Sequence, residues 1–289
     1  MNRWVLGARP RTLPASVVPV LAGTAAAVGA APQGIVWWRA GAAMVVSVAI
    51  QVATNYVNDY ADGERGSDRN RVGPTRLVGS GLASSGEVKR AALAAAGVST
   101  GAGLALAVAV GPELVGVGAA SLAAGYFYTA GPRPYGYAGL GEVFVFVFFG
   151  VVATAGSTYV QLDRLTLLAL GVSVPVGLLA TALLVANNLR DIPSDAAAGK
   201  RTLAVQVGDP LTRTLFVALV AGAFLALPVL ALARPGALLA ALSAPLALAP
   251  VRRVLREAQG ADLVPALEAT GRLQLGFGVL LAAGVALSG

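Results

Sequence analysis

An all-α integral membrane protein with nine spans is the fold class this sequence predicts, and three observations carry it. Apolar residues make up 56% of the 289 positions, only 12% are charged, and the mean hydropathy is +0.74. That is more apolar surface than a soluble core of this size can hide. The apolar residues gather into runs long enough to cross a bilayer. With the N-terminus inside, only Arg39, Arg164 and Arg234 of the 21 Lys and Arg residues fall on the outer side, as the positive-inside rule requires. The formal charge of +7 then belongs to cytoplasmic loops and implies no nucleic-acid partner. The chain contains neither cysteine nor histidine, which excludes disulfides, thiolate nucleophiles, imidazole bases and the usual zinc ligands. A metal here would be held by oxygen.

The chain opens on a basic segment, M-N-R-W-V-L-G-A-R-P-R, and the first span follows at about residues 13–31. Pro14 and Pro19 interrupt that run, and many further spans follow, which argues against a cleaved signal peptide. The second span, about 36–57, begins on the interfacial pair Trp37 and Trp38 and ends on Asn55. A polar loop of about thirty residues leads to spans near 91–110 and 114–129, joined by the turn Gly111 and Pro112. The short loop G-P-R-P-Y-G-Y precedes a span near 140–160, and 165–189 returns. After a second acidic loop come spans near 215–232, 236–251 and 273–287, with a basic loop from Arg252 to Arg272 between the last two. No soluble domain interrupts them, so residues 1–289 read as one polytopic domain.

Two polar stretches recur in register. N-Y-V-N-D-Y-A-D-G-E-R-G-S-D runs from Asn55 to Asp68, and N-N-L-R-D-I-P-S-D from Asn187 to Asp195. Each opens on Asn, with an Asp four residues later and a second Asp three or four beyond. Four spans separate them, so both fall on the cytoplasmic side. If the second span continues as helix, Asp59 and Asp62 share a face with Asn55 one turn behind. Asp191 and Asp195 are similarly spaced, although Pro193 between them predicts a break or restart of the helix. Carboxylates gathered at a membrane surface call for a compensating cation. Magnesium suits them: it is hard, prefers oxygen, and shares its shell with water and substrate phosphate. Arg65, Arg69, Arg71 and Arg76 follow the first motif, and Arg190, Lys200 and Arg201 flank the second. They either neutralise a leaving diphosphate or set topology.

The two motifs and their placement resemble the UbiA superfamily of intramembrane aromatic prenyltransferases. Within it, A-R-P-R-T-L-P near the start, R-V-G-P-T-R-L-V-G-S-G, Y-T-A-G-P-R-P-Y-G-Y-A-G-L-G-E, G-K-R-T-L-A-V and T-G-R-L-Q-L are similar to the MenA-type branch, which prenylates 1,4-dihydroxy-2-naphthoate in menaquinone biosynthesis. The spacing of three between Asp59 and Asp62, where many members of the superfamily use four, is that of the naphthoate branch. The resemblance covers nearly the whole chain. It implies a bundle around a central cavity open to the cytoplasmic side and laterally to lipid, with a polyprenyl diphosphate head between two Asp-rich loops. It implies Mg2+ held by Asp59, Asp62, Asp191 and Asp195, with Asp68 closing the longer form of the first motif. Asn55, Asn58 and Asn187 would support the ions or the diphosphate, with Arg190 and Lys200 among the catalytic cations. Ionisation of the allylic C–O bond, attack by the naphthoate ring and loss of CO2 and a proton would give demethylmenaquinol.

The remaining polar residues keep two readings each. Tyr126, Tyr128 and Tyr135 are either a cation–π shield for the allylic cation or an interfacial belt. Glu142, just inside the fifth span, either orients the acceptor or pairs with Arg133. Arg11 and Arg76 are candidates for the acceptor carboxylate. Gln274 and Asn188 face the bundle, which helix packing accounts for. Two alternatives remain: a prenyltransferase for another aromatic acceptor, such as 4-hydroxybenzoate or homogentisate, and a transporter of an anionic solute. The transporter would gather its ionisable groups near the midplane.

Overall fold

The computed structural model describes residues 2–66, 75–256 and 258–289. Helices account for the regular structure of the described residues, and no strand occurs among them. Seven helices are long and apolar enough to cross a membrane, and two shorter apolar helices accompany them. In chain order these are α1 (Pro14–Ala26), α2 (Trp37–Glu64), α3 (Ser85–Ala109), α4 (Glu113–Phe127), α5 (Gly141–Leu162), α6 (Leu167–Ala197), α7 (Asp209–Ala231), α8 (Pro235–Leu255) and α9 (Gly260–Leu287). The two shorter ones are α1 and α4.

Local chemistry sets the ends of these helices. Ser84 and Glu87 form a reciprocal capping box at the start of α3, and Thr166 accepts the Ala169 N–H at 3.1 Å to open α6. The acidic motifs were expected in loops, but the structure puts them on helices. No proline follows Trp37 before the end of α2, so that helix carries Asp59 and Asp62 on its last turns. Pro193 does not break α6 either: it removes one N–H from the helical ladder, yet the helix runs on to Ala197. It closes at Gly199, whose φ of +71° lets the Lys200 N–H reach the Asp195 carbonyl at 2.8 Å.

Packing between spans gains little from the hydrophobic effect, because lipid tails are as apolar as leucine. Close approach of backbones supplies the dispersion energy instead. A Cβ on Gly150 in α5 would lie 2.6 Å from the Gly177 Cα in α6, so these helices cross nearly in contact. A Cβ on Gly23 in α1 would run into the Thr154 carbonyl of α5. Phe216, Phe277, Leu179, Leu273 and Leu281 fill one core between α6, α7 and α9. At the end away from the motifs, Arg39 donates to the carbonyls of Val160 at 2.9 Å and Ala109 at 3.0 Å. One guanidinium thereby ties the starts and ends of α2, α3 and α5.

Candidate active site

Between α1 to α6 lies a cavity of about 360 Å³. Asp62, Asp191, Asp195, Arg76, Arg190 and Lys200 meet at one end of it. Val46, Leu106, Val117, Phe149 and Val152 line the remainder.

The link between the motifs is ionic. Lys200 Nζ donates to Asp62 Oδ1 at 3.0 Å and lies 3.9 Å from Asp195 Oδ1. Arg76 approaches the other oxygen, Asp62 Oδ2, at 3.5 Å. The Tyr137 hydroxyl also donates to Asp62 Oδ1, and its ring lies under the Lys200 ammonium, 4.7 Å from the centroid. Burial opposes the charge on Lys200, but Asp62, Tyr137 and Asp195 outweigh it and hold the ammonium above the ordinary lysine value. Burial and then the Asp62 carboxylate push the Tyr137 phenol up. Both groups therefore keep their protons at neutral pH. Tyr137 was not singled out from the sequence, although it sits in the stretch Y-T-A-G-P-R-P-Y-G-Y.

Within the second motif, Arg190 grips Asp191 with two hydrogen bonds of 2.7 Å and donates to Asn187 Oδ1 at 2.9 Å. The fork of the guanidinium matches the carboxylate, so the three side chains hold one another.

Asp59 departs from expectation. It is fully buried but does not line the cavity. Its Oδ2 accepts the Leu77 N–H at 2.8 Å and its Oδ1 the Val78 N–H at 3.0 Å. A carboxylate held by two backbone donors fixes the segment next to Arg76, and what sets Asp59 apart from Asp191, whose oxygens are also both engaged, is that it lies off the cavity wall. Asn55 lines the cavity, as Asp59 does not, and also donates to the Ala8 carbonyl at 2.9 Å. Asn58 accepts from the Thr129 hydroxyl at 2.6 Å and lines the cavity. Asp68, with Arg69 and Arg71, lies outside the described residues.

Several predicted cations stand elsewhere. Arg65 is exposed and outside the cavity, donating to the carbonyls of Thr129 and Gly131. Arg133 and Arg201 are exposed and also outside it. Arg11 lines the cavity and pairs with Glu268 at 2.7 Å. Glu142 does not pair with Arg133. It is buried, and its Oε1 accepts from Asn188 at 2.9 Å, because Asn188 faces it from α6 while Arg133 points to solvent. Tyr126 is 43% exposed, whereas Tyr128 and Tyr135 line the cavity. Tyr135 meets Tyr128 edge-on at 5.5 Å and stacks on Phe144 at 3.9 Å, and Phe148 follows at 6.0 Å. An aromatic ladder thus descends from the charged end, a feature that one-letter spacing across two elements does not reveal.

Among the described residues no three acidic side chains converge closely enough to hold an ion by themselves. All the candidate donors are oxygens, carried by Asp62, Asp191 and Asp195 around one cavity end. A shell completed by water and phosphate is the habit of magnesium, and the residues present fit it.

Known proteins share this chain and fold. The UbiA prenyltransferase family profile matches residues 16–268. The 1,4-dihydroxy-2-naphthoate octaprenyltransferase of Mycobacterium tuberculosis (strain ATCC 25618 / H37Rv) is 47% identical, over 98% of this chain and 97% of its own. The enzyme of the same name from Escherichia coli (strain K12) is 36% identical, over 99% and 95%. A solved UbiA homolog from Archaeoglobus fulgidus superimposes with a TM-score of 0.69 at 14% identity, over 99% of this chain and 100% of that one. The same homolog bound to DMAPP and Mg2+ gives 0.59 at 16% identity, over 98% and 99%.

Proposed function

From its membership of the UbiA prenyltransferase family, to which this chain belongs, we propose that the protein transfers a polyprenyl group from its diphosphate to 1,4-dihydroxy-2-naphthoate. CO2 and diphosphate are released, and the product is demethylmenaquinol, a precursor of menaquinone. One observation carries the reading: Asp62, Asp191, Asp195, Arg190 and Lys200 crowd one end of a cavity whose remainder is apolar and aromatic. Such a cavity suits a molecule with an anionic head and a hydrocarbon tail. The near full-length relatives at 36% to 47% identity supply the acceptor.

Each residue has a task in this reaction. Asp62, Asp191 and Asp195 would hold magnesium, with Asn58 and Asn187 beside them, and Asp68 completes the first motif. Bound there, magnesium would supply positive charge to the leaving diphosphate. Lys200 and Arg190 keep their places beside Asp62 and Asp191, where they balance carboxylates before substrate arrives and diphosphate afterwards. The allylic C–O bond breaks next to Tyr128 and Tyr135, whose π faces favour a cation. Apolar walls below exclude water, so the ring carbon of the acceptor captures the cation to form the new C–C bond.

All nine apolar helices span the bilayer in this reading, α1 and α4 included, with the N-terminus and the charged end of the cavity on the cytoplasmic side of the cell membrane. The basic residues beside the motif ends of the spans support that orientation.

Prenyl transfer by purified protein tests the proposal, with 1,4-dihydroxy-2-naphthoate or 4-hydroxybenzoate offered alongside a polyprenyl diphosphate, with magnesium or chelator. Magnesium-dependent product from the naphthoate alone, lost in Asp62→Asn and Asp191→Asn, is the expected result. Product from 4-hydroxybenzoate alone would refute the acceptor, and no transfer by folded protein would refute the reaction.

A further inference from the structure

Glu142 and Asn188 form a pair that the chemistry above leaves unused. Glu142 is 6% exposed and Asn188 is 6% exposed, yet Asn188 lines the cavity. It stands on α6, one position after Asn187 and three before Asp191, so it faces the cavity a turn deeper than the charged end. Its Nδ2 donates to Glu142 Oε1 at 2.9 Å. With Glu142 ionised this is the orientation the amide takes, since the reverse would set two oxygens against each other. The carboxamide is therefore pinned through Nδ2 on the cavity wall, and among the described residues nothing donates to its Oδ1.

A wall atom of this kind is a pure acceptor. It binds a hydroxyl and repels a carbonyl or ether oxygen. Resting on the acceptor class proposed above, we infer that Asn188 Oδ1 accepts a hydrogen bond from the 4-hydroxyl of the naphthoate, and that Glu142 is the positioning residue that fixes the amide for it. The 4-hydroxyl is the free donor of that molecule, because the 1-hydroxyl is engaged internally by the neighbouring carboxylate. Tyr128, which also lines the cavity and neighbours Gly141, bounds the subsite on its aromatic side. Among the described residues the second oxygen of Glu142 is buried with no donor, and Asn188 gives the one hydrogen bond that its carboxyl accepts from another side chain. The subsite reads the reduced, hydroxyl-bearing form of the acceptor and discriminates against the quinone, so the step that supplies the substrate must deliver it reduced.

Equilibrium binding tests this directly, in detergent, without magnesium or diphosphate. The ligands are 1,4-dihydroxy-2-naphthoate and 1-hydroxy-4-methoxy-2-naphthoate, which keeps the oxygen and loses the proton, and binding is followed by naphthoate fluorescence. The unmodified protein should prefer the dihydroxy compound about tenfold, the worth of one hydrogen bond. Asn188→Leu should bind both compounds alike, at the affinity of the methoxy compound. Glu142→Leu should abolish the preference by freeing the amide, and Glu142→Gln should retain it, because its Oε1 still accepts from Asn188. Polyprenyl diphosphate binding, measured with magnesium, reports whether each variant is folded. A preference that survives both Leu variants, or equal weakening of both ligands, would overturn the subsite. Should the unmodified protein bind polyprenyl diphosphate but neither naphthoate, the acceptor class itself falls, and the subsite with it.

Discussion

Lys200 Nζ lies 3.0 Å from Asp62 Oδ1, and the two residues are 138 positions apart in the chain. Both are nearly inaccessible, with 10% and 3% of their side chains exposed. One buried ion pair therefore joins the two acidic motifs. Removing one partner from such a buried pair costs at most about 3–5 kcal/mol, less here because Arg76 and the Tyr137 hydroxyl still face Asp62. Lys200→Met should lower kcat by about a hundredfold or more and lower the melting temperature in detergent. Normal thermal stability with normal turnover would show that the pair does neither job.

Alkaline pH offers an independent view of the same pair. Lys200 is held above the ordinary lysine value. Its contribution to stability is therefore complete below that ordinary value, about 10.5, and is lost as pH climbs through the higher folded value. Tyr137, raised as well, is lost in the same direction. With no histidine or cysteine in the chain, thermal unfolding should give a flat profile from about pH 7 to 10 and fall above it. The fall should be shallower in Lys200→Met.

Asp59 should behave unlike the aspartates on the cavity wall. Asp59→Asn sets an amide NH2 against one of the N–H groups of Leu77 and Val78, at about 1–3 kcal/mol. The variant should melt earlier, while the magnesium concentration for half-maximal rate stays unchanged. Asp191→Asn should raise that concentration. A magnesium titration of the two variants decides between them, and a raised requirement in Asp59→Asn would make it a ligand after all.

Gly23→Ala tests the helix crossings. The added methyl meets the Thr154 backbone carbonyl of α5, which has no rotamer to yield. Overpacking of this kind costs about 1–3 kcal/mol, read as a lower melting temperature. Gly118→Ala, which meets nothing within 4 Å, is the control and should melt with the unmodified protein.

Particular residues show what the sequence revealed. The apolar runs and the Lys and Arg pattern located every long helix, because hydropathy is a property of segments. Asp62, Asp191 and Asp195 stand out in the sequence because acidic residues at the end of an apolar run are costly there, and the structure brings all three to the wall of one cavity. Asp59 has the same letter and the same flanks, and what separates it from Asp62 is three positions of helical rotation plus the return of the chain past Leu77. No local pattern encodes that return. Pro193 misled in the opposite sense, since the helix continues four residues past it. Tyr137 and Asn188 were missed in their roles because each acts through a partner on another element, Asp62 for one and Glu142 for the other.

The length of α6 has a consequence for where the chemistry takes place. Its 31 residues extend about 46 Å at 1.5 Å per residue, against a hydrocarbon layer of about 30 Å. The helix is therefore several turns longer than a perpendicular crossing needs, and Asp191 and Asp195 lie on its last two turns. In the proposed reaction the ions and the charged leaving group belong to that end, while the tail of the same substrate molecule belongs to the apolar part of the cavity. The protein is a phase-transfer catalyst with its interface built in, and α6 is the element that crosses from one phase to the other.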